Sequence, residues 1–353
     1  MPAITLRAAE VEAFILQHVL EHPRDIARVT AEHFGISRQA VNKHLKRLLD
    51  EGKLVASGAT RNRTYAPAIL AKEAFSLKVS PKLEEDRVWS EQVAPLIKGT
   101  PKNVESICHY GFTEMLNNVI DHSGSRIAKV VVTRSSSGVD ILIRDYGTGI
   151  FAKLARELHL DDERHAVLEL AKGKLTTDPQ RHTGEGIFFT SRMCDTFNIA
   201  SGVLVLICVN GESWILDNRE PYLPSQGKLE KFDGTLVQMQ ISAFSSRTAS
   251  EVFERYTVMD DDYGFTRTRV PVALARYGEE NLISRSQAKR LLARFERFKE
   301  VMLDFAGVEM IGQAFADEIF RVFQKAHPEV HLDWINATAD VEKMIRRARS
   351  VKE

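Results

Sequence analysis

Cysteine is scarce. Cys108, Cys194 and Cys208 are the only three in 353 residues. They are isolated, odd in number, and two lie in apolar runs. That excludes a disulfide frame or a paired-cysteine metal site and predicts buried free thiols in a reducing compartment. Long hydrophobic runs are missing as well: the longest, Ile199 to Val209, is well short of the ~18 residues that cross a bilayer. No signal-peptide pattern opens the sequence, so a cytoplasmic location with no membrane contact is expected. Charge of one sign is absent too. Lysine plus arginine (48) equals aspartate plus glutamate (48), so any affinity for nucleic acid must be local. The histidines show no paired ligand spacing, and there is no internal repeat or low-complexity tract. The segment Gly173 to Gly186 lacks the Gly-x-x-x-x-Gly-Lys-Ser/Thr spacing of a P-loop.

What is present divides into three regions, read as residues 1–67, 74–245 and 262–353. About one domain per 100–200 residues gives two or three modules for this length. The expected linkers are Ala66 to Glu73 and Ser245 to Tyr263, the latter ending in Asp260-Asp-Asp262.

The central region carries three separated motifs. The first is Glu114-Met-Leu-Asn-Asn118 with Asp121-His122. Its helical spacing puts Glu114, Asn118 and His122 on one face, with Met115, Val119 and Ile120 free to meet a core. An Asn118 carboxamide oxygen suits Mg²⁺, which takes few protein ligands. Glu114, one turn away, could orient or deprotonate a water; a solvated helix face is the plainer alternative. The second motif is Asp145-Tyr-Gly147-Thr-Gly149, placed at the end of an alternating strand, Val139 to Arg144. The Asp145 carboxylate can accept from an exocyclic amine, and Gly147 and Gly149 let a base or ribose approach the backbone. The third, Gly184-Glu-Gly186, precedes an apolar helix from Ile187 to Cys194, whose N-terminal N–H groups favour phosphate.

In that order and spacing, residues from roughly Ala74 to Phe244 resemble the GHKL ATPase superfamily of gyrase, the heat-shock chaperones, MutL and the histidine kinases. The short form in anti-sigma-factor serine kinases is nearest in size. The resemblance implies a Bergerat fold, a mixed sheet with helices on one face, holding ATP and Mg²⁺ beneath a mobile lid. It implies Glu114 as catalytic base and Asn118 as the magnesium ligand. Asp145 with Gly147 and Gly149 would read adenine, and Thr235 would support it through water. Gly184 and Gly186 would flank phosphate. Ile150 to Thr183 would be the lid, with Lys172, Lys174 and Arg181 touching phosphate.

The first region shows helical periodicity over Ala8 to Glu21 and again over Ile26 to Phe34, then a turn at Gly35-Ile36. Ser37 is an N-cap for a third helix, Arg38 to Asp50, with Val41, Leu45, Leu48 and Leu49 as its buried stripe. The opposite face presents Arg38, Gln39, Asn42, Lys43 and Lys46, a set able to touch base edges and phosphates. Leu54 to Tyr65 reads as a hairpin carrying Arg61 and Arg63. This block resembles the winged helix-turn-helix domain of bacterial transcription regulators. The resemblance implies binding to double-stranded DNA; use for protein contacts alone is the alternative. Winged helices often occupy paired half-sites, which leaves room for a homodimer.

In the third region strands alternate with helices: helix Arg285 to Glu300, strand Val301 to Phe305, helix Ala314 to Ala326, strand His331 to Ile335 and helix Ala339 to Ala348. The segment Leu303 to Gln313, followed by Phe315-Ala-Asp-Glu318, resembles a STAS-like family of unknown function. In anti-anti-sigma STAS proteins the corresponding loop carries a phosphorylated serine. Gly312-Gln313 stand there instead, with no hydroxyl. Asp317 and Glu318 read either as an acid pair or as a solvated helix face.

The fold class that follows is α+β and multidomain: an N-terminal winged helix, a central Bergerat-fold α/β sandwich and a small C-terminal STAS-like α/β domain. Two functions fit. One is an ATP-binding transcriptional regulator whose nucleotide state alters DNA binding, or docking of the STAS-like domain in cis or on a protein partner. The other is a serine protein kinase or ATPase acting on a separate protein. A histidine kinase is disfavoured, because no histidine sits in a suitable helix between Tyr65 and Glu114.

Overall fold

The computed structural model describes residues 2–59, 62–175, 184–217, 232–257, 265–276 and 280–350. Its N-terminal part is three helices and a hairpin: α1 (Pro2–His18), α2 (Ile26–Phe34), α3 (Arg38–Asp50), β1 (Leu54–Ser57) and β2 (Thr64–Pro67). The bounds of α3 follow from local chemistry. The Ser37 hydroxyl accepts from the Ala40 N–H at 3.2 Å, and Val41, Leu45 and Leu48 point inward. They meet Val11, Ile15 and Val19 of the first helical segment in a small core of their own. Glu12, nearly buried on α1, ties the helices together by pairing with His44 and Arg47 of α3.

The expected linker after this block is instead strand. β3 (Ile69–Lys78) begins two residues after β2 and forms one edge of a seven-stranded sheet. Short helices α4 (Glu85–Val88) and α5 (Ala94–Ile97), joined by a π turn, lead to α6 (Lys102–Asn118) and a second π turn, Val119–Ser123. Then come β4 (Ile127–Ser135), β5 (Gly138–Asp145), α7 (Ile150–Glu157), α8 (Glu163–Lys172) and α9 (Gly186–Met193). The sheet is completed by β6 (Thr196–Gly202), β7 (Leu204–Val209), β8 (Glu212–Asp217) and β9 (Phe232–Ser242), in the order β3-β4-β5-β9-β6-β7-β8. Every neighbouring pair is antiparallel, not mixed as the resemblance implied. The apolar run Ile199 to Val209 becomes the β6–β7 hairpin, turned where Gly202 takes a left-handed φ of 60°. The sheet's inner face, with Val130, Val132, Ile141, Ile143 and Met239 fully buried, packs on α6 and α9.

The second expected linker holds a helix, α10 (Ala249–Tyr256), opened by a reciprocal capping box between Thr248 and Glu251. The C-terminal part contributes β10 (Arg267–Pro271), α11 (Arg285–Leu292), β11 (Glu300–Asp304), α12 (Gln313–Asp317), α13 (Gln324–Ala326), β12 (His331–Ile335) and α14 (Ala339–Ser350). A π turn, Glu318–Phe323, joins α12 to α13. β10, β11 and β12 pair in parallel, in sequence order. The helix expected to run to Glu300 stops at Leu292, because Ala293 leaves the helical region and Arg294 adopts a left-handed φ of 65°. Asp317 and Glu318 do not form a solvated face: Glu318 is buried, and Asp317 lies 3.7 Å from Arg321.

One hydrophobic cluster runs without a break from the seven-stranded sheet through α8 and α9 into the C-terminal part. Phe188, Phe189, Tyr256, Phe265 and Phe298 form its aromatic bridge, with ring centroids 4.5–6.4 Å apart. The three cysteines are free and buried. Among the described residues, no helix is long and apolar enough to cross a membrane.

Candidate functional site

A cavity of about 100 Å³ lies between α6, α7, the end of α8 and the inner face of the sheet. Its walls are mostly apolar, with Met115, Val119, Ile150, Leu154, Ile199 and Val237 among them. Among the described residues the polar groups come from distant points: Asn118 from the end of α6, His122 and Ser123 from the π turn after it, Asp145 from the end of β5, Lys153 from α7 and Thr235 from β9.

Asp145 is the most constrained of these. It is 3% exposed, and its Oδ1 accepts from the Gly147 N–H at 2.8 Å and the Thr235 N–H at 3.2 Å. The Thr235 hydroxyl also bonds to this carboxyl and accepts the Ile150 N–H at 3.1 Å. One side chain thus joins β5, β9 and the first turn of α7. Burial pushes the Asp145 pKa up, against the pull of the Gly147 and Thr235 bonds. An ionised carboxylate is acceptor-only, so a ligand's exocyclic amine is a group it could hold.

The glycines of this motif are required by the protein's own packing. A Cβ on Gly147 would stand 1.9 Å from the Ser123 carbonyl oxygen, and one on Gly149 would stand 2.5 Å from the Ser201 hydroxyl. They admit the protein's own chain, and of the two Gly149 lines the cavity. Gly184 lines the cavity with φ +74°, and its carbonyl accepts from the Leu175 N–H at 3.1 Å. Gly186 opens α9 and leaves room for a side chain, since a Cβ there would fall 2.0 Å from Glu114 Oε2. Glu114 therefore lies against the start of α9, beside rather than within the cavity wall.

Two expected phosphate contacts are corrected. Lys172 is 1% exposed. Its ammonium pairs with Glu169 and donates to the carbonyls of Ala293 at 2.9 Å and Arg290 at 3.3 Å, away from the cavity. Lys174 donates to the Arg297 carbonyl at 3.0 Å and sits over the Phe298 ring. The carbonyls that hold both ammonium groups come over a hundred residues later, which is why the sequence reads them as lid cations facing phosphate. Arg181 lies outside the described residues. Among the described residues the cation that lines the cavity is Lys153, which the motifs do not reach; its ammonium donates to the His122 carbonyl at 2.8 Å. The only signal for it was its place beside Ile150 and Leu154 on one face of a short amphipathic helix.

On α3, Arg38, Gln39, Asn42, Lys43 and Lys46 are all exposed on the face opposite the buried stripe. Arg63 is exposed, with its guanidinium 5.3 Å from the Tyr65 ring centre. Arg61 is outside the described residues. Among the described residues, no cluster of three or more histidine, cysteine or acidic side chains could hold a metal ion.

A family model described as a STAS-like domain of unknown function (DUF4325) matches residues 287–342. The C-terminal part therefore contains a STAS-like domain. The match runs from Gln287 within α11 to Glu342 in the first turn of α14, including β11 and β12. No curated protein matches the chain.

Proposed function

We propose that this chain is an ATP-binding transcriptional regulator, in which a Bergerat-type pocket sets the DNA affinity of a winged helix. The observation that carries the reading is the Asp145–Thr235–Ile150 node at the floor of a mostly apolar cavity whose far wall carries Asn118. A mostly apolar cavity with a buried carboxylate acceptor is suited to a purine bearing an exocyclic amine. The donor set also fits a magnesium nucleotide. Asn118 offers one hard oxygen, which is enough where phosphates and water complete the shell, and Lys153 is a cation in the same wall. Magnesium bound with the nucleotide would neutralise phosphate charge. Glu114, against the start of α9, would orient a water there.

The DNA half of the reading rests on the exposed polar face of α3, held rigidly by Glu12 and by the small core behind it. This module meets the central sheet through Ser136, whose hydroxyl and N–H bond to the Lys53 and Ala68 carbonyls. A change in the sheet's hairpin thus has a direct route to the hairpin behind α3. For nucleotide to act as a switch it must bind one arrangement more tightly than another. The test is titration of double-stranded DNA binding with and without Mg-ATP, beside calorimetry of Mg-ATP alone. The expected result is heat on nucleotide addition and a shifted DNA curve. Identical DNA curves remove the switch, and no heat removes the pocket.

A further inference from the structure

We propose that the STAS-like domain grips the wall of the nucleotide cavity through a pin, Lys172, so that its docking in cis sets nucleotide affinity. The proposal rests on the reading of the cavity as a nucleotide pocket.

The last carbonyls of a helix lack partners within it and carry the negative end of its dipole. At the end of α11 one of these, that of Arg290, and the carbonyl of Ala293 just past the helix accept from the ammonium of a residue on another element, Lys172 at the end of α8. The Phe295 ring lies 5.3 Å from the same ammonium. Glu169, one turn back on α8, neutralises it and lies 3.5 Å from Arg294. The backbone is held too. The Thr268 hydroxyl of β10 donates to the Lys172 carbonyl at 2.7 Å, and Arg297 donates to the Lys174 carbonyl at 3.2 Å. Between them, Gly173 leaves a seat for the Phe265 ring, which a Cβ would meet at 2.6 Å.

These contacts bracket the cavity wall. Leu170, two residues before the pin, and Leu175, three after it, both line the cavity. The short chain segment that closes the pocket is therefore fastened on its far side to the STAS-like domain. In this docked state the cavity is about 100 Å³, below the ~300–1,000 Å³ usual for small-molecule pockets. A ligand with ribose and phosphates needs the segment to move outward, which pulls on Lys172. Nucleotide and docked domain then compete for one segment, and each weakens the other by the same factor.

The test uses the full chain. Removing Lys172 alone would strand the buried Glu169 carboxylate, so Glu169→Gln and Lys172→Met are combined. Thr268→Val is a milder second variant that removes one bond and no charge. Calorimetry with Mg-ADP should show the double variant binding about tenfold tighter than wild type, with Thr268→Val between them. In wild type, saturating Mg-ADP should speed amide exchange over residues 290–297. If the double variant fails to fold, Thr268→Val and the wild-type exchange experiment decide. Affinity that is unchanged or weaker in a folded variant, or exchange at 290–297 unmoved by bound Mg-ADP, overturns the pin and leaves the pocket standing. No binding by any of the proteins overturns the pocket as well.

Discussion

Asp145→Asn separates what the carboxylate does for the fold from what it does for a ligand. The Asn carbonyl oxygen keeps the position that takes the Gly147 and Thr235 N–H groups, so the node joining β5, β9 and α7 survives. Burial penalises the ionised carboxylate, since the Asp145 pKa is raised, and the neutral amide escapes that cost. The melting temperature should be unchanged or higher at neutral pH. Binding should suffer, because an NH₂ donor now faces the ligand's own amine. Loss of a hydrogen bond to a charged acceptor costs about 1.5–3 kcal/mol, or roughly 10- to 100-fold in Kd. Calorimetry with Mg-ATP alongside thermal unfolding reads both effects. A variant that melts well below wild type yet binds with undiminished affinity would refute the assignment.

Four further outcomes are expected. A raised Asp145 pKa means the folded state holds a proton that the unfolded chain has released. This carboxyl's contribution to stability therefore declines as pH rises from its ordinary value through the raised one, while nucleotide affinity, which needs the ionised form, climbs over the same window; calorimetry and melting at matched pH values should move in opposite directions. Gly147→Ala drives a Cβ into the backbone oxygen of Ser123 and should cost about 1–3 kcal/mol in denaturant melts. Gly186→Ala, by contrast, meets only the tip of Glu114, so the chain should fold normally and lose ATP turnover rather than binding. Replacing Lys43 and Lys46 together by alanine should weaken DNA binding and flatten its log–log salt slope by about 0.9 for each phosphate that is no longer neutralised; an unaltered slope would show that this face does not meet DNA.

Legibility in the sequence tracked the range of the interactions. α3 and β12 have the bounds read from the residues, because a serine cap and a short alternating run are local signals. β10 was missed: Arg267–Pro271 is short and carries two arginines, and it reads as a strand only once paired to β11. α11 was drawn too long because Phe295 and Phe298 continue the helical period, while the left-handed Arg294 that ends it leaves no such mark. At the cavity, Asn118, Asp145, Gly149 and Gly184 follow from motif chemistry and Thr235 from the family resemblance, and the five do come together. Lys172 was misassigned because nothing near it in the chain announces burial. Its partners Arg290 and Ala293 are far along the chain, and such pairings set charge roles that composition cannot reveal.

The unbroken core linking the large sheet to the STAS-like domain also governs how the chain comes apart. The N-terminal module keeps its apolar side chains in a separate cluster and touches the rest mainly through Phe244 and the Ser136 bonds. Calorimetric unfolding should therefore divide there, with the small module melting by itself and everything beyond β3 melting together. A truncation that removes the C-terminal domain would strip the rings of Phe188 and Phe189 of their cover. Deleting the first module would leave that cover in place, making it the detachable part of this protein.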